Sequence, residues 1–311
     1  MVEFVRLGRT DLKVHPIGLG TNAVGGHNIY PETDEEAGKQ LVRIAIDHGI
    51  TMLDTAFMYG PARSEELIGE VVKETGKRSE VVIATKVSPK LVDGSFVHDN
   101  SPSFLRSEVE KSLKRLQTDY IDLLYIHCPD EETPKDEAVG ALKQLKDEGK
   151  IRAIGVSNFS LDQLKEANTD GYVDVFQGEY NLLKRDAEIT YFPYTREHNI
   201  SFIPYFPLAS GFLTGKYQKE SDLGPKLVKR PQFQGEALAK NFERLDALRR
   251  IADVRNVEVG HVVLAWYLTQ EAIDVVIPGA KNGVQVLNNL KTVDVALTTK
   301  EIEEINEVFK A

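Results

Sequence analysis

The sequence predicts a (β/α)8 barrel carried as one domain over residues 1–311, with an N-terminal β-hairpin cap and an additional C-terminal helix. Three observations carry this expectation. Short β-branched runs alternate with longer amphipathic stretches through eight units. The units are evenly spaced, without a composition break or a low-complexity linker. The length also suits the architecture, which takes about 250 residues and more with insertions.

In chain order, Phe4–Leu7 and Leu12–Val14 flank Gly8-Arg9-Thr10-Asp11, the pattern of a hairpin that caps the bottom of a barrel. Strands are expected at Ile17–Gly20, Thr51–Asp54, Val81–Lys86, Ile121–His127, Ala153–Val156, Val173–Gln177, Ser201–Tyr205 and Val275–Pro278. Helices are expected at Asp34–His48, Ser64–Thr75, Ser103–Leu116, Asp136–Glu148, Leu161–Asn168, Ile189–Glu197 and Ala237–Arg255. Acids in the Thr33–Glu36 turn suit a helix start, and the glycines after His48 and Glu148 suit helix ends. Strands separated by helices pair in parallel through right-handed crossovers. An open doubly wound sheet is the rival topology, and the even spacing of the units favours closure. The stretch Pro207–Gly235 has no clear period, and a loop of that length inside a domain is usually functional or mobile. Lys300–Lys310 forms a helix outside the repeats.

Lys and Arg number 38 against 48 Asp and Glu, a net charge of −10. Such a chain repels nucleic acid and anionic lipid, so neither is an expected partner. No apolar run reaches the roughly 18 residues of a membrane span. The first residues lack a signal-peptide pattern, so a cytoplasmic location is expected. Cys128 is the single cysteine, which excludes an internal disulfide and a multi-thiolate metal site. No metal is expected. Asn158-Phe159-Ser160 fits the glycosylation pattern, read as accidental without an export signal.

In a barrel enzyme the active site lies where strands end and the following loops begin. Those positions hold Asp54, Lys86, His127, Ser157-Asn158, Gln177 and Tyr205, with Tyr59 just past Asp54. Polar residues at the tips of apolar strands converge on one mouth. A phenol has a pKa of about 10, and a neighbouring cation lowers it. Lys86 held by Asp54 would act so on Tyr59, while His127 orients a carbonyl or shares the proton. The set suits protonation of a carbonyl oxygen as hydride reaches carbon.

The G-x-G-x-x-G fingerprint is absent, because Gly18 and Gly20 are followed by glycines at 25 and 26. The barrel offers another dinucleotide site. Ser157, Asn158 and Gln177 could bond a carboxamide, and Tyr205 offers a stacking face. Phosphates are expected near the loops after the seventh and eighth strands. These contain Phe206, Pro207, Leu208, Ala209, Ser210, Gly211 and Lys216, then Gly279, Ala280 and Lys281.

The motifs resemble the aldo-keto reductases. Asp54-Thr55-Ala56-Phe57-Met58-Tyr59-Gly60 matches the family's D-T-A-x-x-Y-G segment, flanked by Gly49–Leu53 and Ser64–Gly69. Ile83–Lys86 resembles its lysine strand, Asp119–Pro129 its histidine segment and Gly149–Phe159 its fifth-strand motif. The resemblance runs from about Leu7 to the chain end and includes the bacterial reductases of the branch that contains potassium-channel β subunits. It implies a catalytic tetrad of Asp54, Tyr59, Lys86 and His127, with Tyr59 the proton donor in NADP(H)-dependent carbonyl reduction. It also implies Gly20, Thr21 and Asn22 beside the nicotinamide, and Gln285, Asn288 and Asn289 near the adenine. Some branches carry a basic residue where this chain has Gly279 and an arginine where it has Gln285. Recognition of the 2′-phosphate therefore falls to Lys281, with Arg230 from the long loop.

The substrate is read as a small carbonyl or alcohol. Val24, Tyr30, Phe57, Met58, Cys128 and the Pro207–Gly235 loop are candidate pocket walls. The resemblance implies a monomer. Two other functions stay open: a cofactor-sensing regulatory subunit with slow turnover, and a Schiff-base aldolase using Lys86.

Overall fold

Buried β-branched runs and amphipathic helices assemble into a curled parallel sheet wrapped by helices, the (β/α)8 fold that the sequence predicts. The computed structural model describes residues 2–224 and 227–310. Pro225 and Lys226, within the long-loop stretch, lie outside the described residues.

Strands β1 (Val5–Arg6) and β2 (Lys13–Val14) form the antiparallel hairpin. The barrel then runs β3 (Leu19–Gly20), α1 (Glu35–Asp47), β4 (Met52–Asp54), α2 (Arg63–Thr75) and β5 (Val82–Val87). A second hairpin follows, β6 (Pro89–Val92) and β7 (Ser95–His98), then α3 (Pro102–Leu116), β8 (Ile121–Ile126) and α4 (Lys135–Asp147). Next come β9 (Ile151–Ser157), α5 (Leu161–Ala167), β10 (Val175–Glu179), α6 (Ala187–Thr190), α7 (Phe192–Glu197) and β11 (Ser201–Tyr205). The chain ends with α8 (Gly235–Arg255), α9 (Val259–Tyr267), α10 (Gly283–Leu290) and α11 (Thr299–Val308). Among the described residues no helix is long and apolar enough to cross a membrane.

The parallel order is β11-β10-β9-β8-β5-β4-β3. The eighth segment, expected as the strand Val275–Pro278, closes the ring through isolated bridges, Ile17 with Val276 and Gly20 with Gly279. The Gly18 N–H donates to the Val276 carbonyl at 2.8 Å, and the Val276 N–H donates to the Pro16 carbonyl at 3.0 Å. Pro16 and Pro278 have no N–H to donate, which keeps this ladder discontinuous. The single expected helix Ile189–Glu197 is two short ones, because Pro193 lacks the N–H and crowds the preceding turn.

Three elements escape the periodicity. Helix α9 is buried on almost every face, so no polar stripe marks it. Helix α10 spans only 8 residues. The hairpin β6–β7 turns at Asp93-Gly94, both left-handed with φ of 49° and 78°, and that dipeptide is the sequence signal for it.

Residues two apart along a strand share a face. Met52, Ala84, Leu123, Tyr125, Ala153, Val175, Ile203 and Ile277 form one buried cluster with Leu7, Leu12 and Val14 of the first hairpin. That hairpin therefore plugs the end at which the strands begin. Gly155 is required in this layer, since a Cβ there would lie 2.3 Å from the Tyr125 ring. Counting on by two from the cluster reaches Asp54, Lys86, His127, Ser157, Gln177, Tyr205 and Gly279. The apolar interior thus carries a polar layer at the opposite mouth.

At the plugged end, buried aspartates catch backbone N–H groups. Asp122 accepts from the Ile83 N–H at 3.0 Å and pairs with Arg78 and Arg152. Asp174 accepts from the Ile154 N–H at 3.0 Å and pairs with Arg9 and Lys146. Asp174→Ala strands the buried Ile154 N–H and two cations, and is expected to lower the unfolding free energy by about 2–4 kcal/mol. Urea titration measures this, and a loss within about 0.5 kcal/mol, typical of surface changes, would show the carboxylate to be dispensable.

Candidate active site

Strand β4 ends on Asp54, and the parallel neighbour β5 carries Lys86 on the same interior face. Both side chains are buried. Lys86 Nζ donates to Asp54 Oδ1 at 2.5 Å and to the Thr55 carbonyl at 2.8 Å. The other carboxylate oxygen, Oδ2, accepts from Gln177 Nε2 at 2.8 Å. The carboxylate is therefore held from two sides of the barrel, and the ammonium is held by the carboxylate.

Tyr59 stands over this pair on the turn between β4 and α2, half-buried. Lys86 Nζ lies 5.6 Å from its ring centroid, and the His127 ring meets it edge-on at 6.4 Å. The four residues of the expected tetrad are thus together at the mouth. The electrostatics differ from the expectation of a lowered phenol. Burial, then the Asp54 charge, raise the Tyr59 pKa. Burial also lowers the Lys86 pKa, against the pull of Asp54. His127 is pushed down to about 3, by burial first, then by Lys86 and His98. Its Nδ1 is buried and has no hydrogen-bond partner among the described residues.

Ser157, Asn158, Gln177 and Tyr205 meet at three adjacent strand ends. Asn158, left-handed at φ 62°, donates from Nδ2 to the His127 carbonyl at 3.0 Å and to Ser157 Oγ at 3.1 Å. Its Oδ1 accepts from the Tyr205 hydroxyl at 2.9 Å. Cys128 lies beside it, its thiol pushed up to about 11 by burial.

Past β11 the backbone is left-handed at Phe206, Ala209, Ser210 and Gly211, with φ of 56°, 46°, 57° and 89°. The chain there passes through Pro207 and Leu208 in a tight turn, the Ala209 N–H donating to the Phe206 carbonyl at 2.9 Å. A Cβ on Gly211 would lie 3.2 Å from Lys216 Nζ, so that ammonium sits directly over the glycine. The Arg230 guanidinium lies 5.4 Å from the Phe206 ring centroid, which brings the far end of the long loop back to the strand tip.

Across the mouth, a Cβ on Gly279 would lie 3.4 Å from Asn22 Oδ1, and Gly20 bonds to the Pro278 carbonyl at 3.2 Å. Ala280 is buried, and Lys281 reaches over the Tyr30 ring at 5.1 Å. Thr21 is buried and gives its hydroxyl to the Asp54 carbonyl at 2.8 Å, so it fixes the strand end. Gln285 accepts from the Lys281 N–H at 2.8 Å, and Asn288 donates to Glu258 at 2.8 Å. Asn289 is half-buried on the same helix.

A nicotinamide dinucleotide fits this donor set. Ser157 and Asn158 offer amide partners, the left-handed run opens backbone at Gly211, and Lys216, Arg230 and Lys281 bring cations to a chain of net charge −10. Residues behind the mouth escaped the sequence reading. Buried Glu65 accepts from Thr85 Oγ1 and Arg115 Nε, both at 2.6 Å, next to Lys86. The signal was the Ser64–Gly69 segment, whose matching residues had no role attached.

The sequence pattern of the Aldo/keto reductase family matches residues 16–310, and the chain belongs to that family of nicotinamide-dependent oxidoreductases. It is 35% identical to the aldo-keto reductase YhdN of Bacillus subtilis, over 99% of this chain and 94% of that one. The aldo-keto reductase yakc of Schizosaccharomyces pombe, designated NADP(+), is 35% identical over 93% of this chain and 87% of its own. The NADH-specific methylglyoxal reductase of Escherichia coli is 31% identical over 99% and 98%. Among solved structures, the glycerol dehydrogenase AKR11B4 from Gluconobacter oxydans superposes with a TM-score of 0.90, at 31% identity, over 99% of this chain and 95% of that one.

The low pKa of His127 fixes a pH dependence. The folded state keeps the ring neutral down to about 3, whereas the unfolded chain takes up the proton near 6.5. Its share of stability is thus complete above about pH 6.5 and is lost as pH falls toward 3. His127→Gln is expected to flatten the acid limb of stability against pH across that window. Urea titrations of both proteins at each pH test this, and parallel acid limbs would contradict a ring held neutral by the fold.

Proposed function

We propose that this chain reduces aldehyde or ketone carbonyls to alcohols, reversibly, with NADP(H), and that Tyr59 is the proton donor. The observation that carries the reading is the buried Asp54–Lys86 pair lying beneath Tyr59, with His127 against the same ring. When bound, the nicotinamide supplies hydride to the carbonyl carbon. The chain's own part is to hold the carbonyl oxygen and to deliver a proton to it.

His127, neutral because of its burial, has one ring N–H to donate to that oxygen. Tyr59 hands its hydroxyl proton to the same oxygen as charge develops there. The raised pKa keeps the phenol protonated throughout the neutral range, the form that reduction requires. Once the proton leaves, the Lys86 ammonium lies within reach of the phenolate ring and stabilises its charge. Asp54 keeps that ammonium in place, and Gln177 keeps Asp54 in place.

Ser157, Asn158 and Tyr205 would hold the nicotinamide end, with Gly20 and Asn22 alongside. Backbone from Phe206 through Gly211, with Lys216, would take the pyrophosphate. Lys281 and Arg230 would take the 2′-phosphate, and Gln285, Asn288 and Asn289 the adenine side. The relatives differ in cofactor, one designated NADP(+) and one NADH-specific. The mouth cations of this chain support NADP(H). An aldolase role needs a free Lys86 amine, and its bonds to Asp54 and Thr55 support the charge-holding role instead.

Turnover of a carbonyl panel, followed by NADPH absorbance, tests the reading. Tyr59→Phe is expected to lower kcat by at least about 100-fold, as for removal of a general acid, with NADPH affinity preserved. Activity near that of the wild type would reject Tyr59 as the donor. Tight NADPH binding without turnover by the wild type would point to a regulatory subunit, and borohydride trapping of substrate on Lys86 would point to an aldolase. Lys281→Ala is expected to weaken NADPH by about 10-fold, the loss of one charge-assisted contact, while leaving NADH affinity nearly unchanged. Equal losses for both cofactors, read by fluorescence titration, would remove Lys281 from the 2′-phosphate site.

A further inference from the structure

The turn that carries Tyr59 is gripped from outside by one side chain. Asn28, in the loop after β3, donates from Nδ2 to the Met58 carbonyl at 3.0 Å. Its Oδ1 accepts from the Gly60 N–H at 2.8 Å. A single amide therefore holds the peptide groups on both sides of Tyr59. Inside the turn, the Tyr59 N–H donates to the Ala56 carbonyl and the Tyr59 carbonyl accepts from the Ser64 N–H, both at 3.1 Å.

The two loops are also in direct backbone contact. Gly60 is left-handed at φ 67°, and a Cβ there would come within 1.8 Å of the Gly25 carbonyl. The loop bearing Asn28 is braced in turn. The Tyr30 N–H donates to the Gly26 carbonyl at 2.9 Å, and His27 bonds to Thr33 and Glu35, both at 3.1 Å. Asn28 itself is exposed, so these two bonds, and not packing, fix its amide.

Resting on the reading of Tyr59 as proton donor, we propose that Asn28 is the positioning residue that sets where the phenol points. A ring on a turn pivots with the peptides that flank it. Without the amide, the Met58 and Gly60 peptide groups can bond to water and rotate, and the hydroxyl moves with them. Misplacement by about 1 Å costs a catalytic group on the order of 100-fold. The sequence pattern gave no hint of this, because the partners are two backbone groups about 30 residues away.

The test is a double-mutant cycle on the full-length protein with a reactive aldehyde and NADPH. Asn28→Ala is expected to lower kcat about 10- to 100-fold. Asn28→Asp keeps the shape and the Gly60 bond but turns a carboxylate oxygen toward the Met58 carbonyl, so it is expected to lose as much as Asn28→Ala. NADPH affinity and Tm stay near those of the wild type for both. In the Tyr59→Phe background, Asn28→Ala is expected to cause no further loss, because the residue acts through the phenol. Equal fold-losses in both backgrounds overturn the proposal, since the amide then acts elsewhere. Wild-type kcat for Asn28→Ala, with activity lost in Tyr59→Phe, also overturns it and leaves the proton-donor reading standing. Full activity in Tyr59→Phe rejects that reading and this inference with it.

Discussion

The Asp54–Lys86 pair is the constraint around which the mouth is built. Removing two charges from water costs several kcal/mol for each ion, so such a pair does not exist for the sake of stability. It persists because both charged groups of the pair are matched. The ammonium has the Asp54 carboxylate and the Thr55 carbonyl, and the carboxylate has Lys86 and Gln177. Gln177 comes from the far side of the sheet, so the pair also ties β4 and β5 to β10 across the barrel interior. The result is a fixed positive charge beneath a phenol, and His127 stays neutral partly because that charge is there.

Strand periodicity explains why this polar layer is confined to the mouth. Below it, Tyr125 fills the interior over Gly155 and the first hairpin seals the bottom with Leu7, Leu12 and Val14. Carboxylates recur at the bottom, but there Asp122 and Asp174 accept backbone N–H groups and pair with exposed or half-exposed arginine and lysine. The same residue type therefore performs two tasks at the two ends. At the bottom it pins strand to strand; at the mouth it holds a cation, in keeping with the usual division of barrel enzymes.

Much of this was legible in the sequence, for a physical reason. A barrel strand is buried on both faces, so its apolar run stops where the interior meets solvent, and the residue at the stop declares itself by being polar. Asp54, Lys86, His127, Ser157, Gln177 and Tyr205 were all found in that way. What stayed hidden has no period. Helix α9 lacks a polar face, and helix α10 spans only 8 residues. The rise in the Tyr59 pKa was not legible, because the proximity of Lys86 shows in the sequence while the burial of the phenol does not. Contacts between loops, such as Asn28 with the Met58 and Gly60 backbone, or Lys281 with Tyr30, leave no spacing to read.

Those loop contacts give the mouth its unity. The segment after β3 touches the Tyr59 turn through Asn28 and Gly25, and it touches the Lys281 segment through Tyr30 and Asn22. Lys281 in turn lies at the start of α10, where its N–H is held by Gln285. Lys281 and the Tyr59 turn therefore border the same loop. The strands supply a rigid polar ring, but the phenol and the Lys281 cation both sit on connections beyond it. Both border the loop between β3 and α1, where Gly26 permits a close approach to the Asn22 carbonyl that any side chain would obstruct.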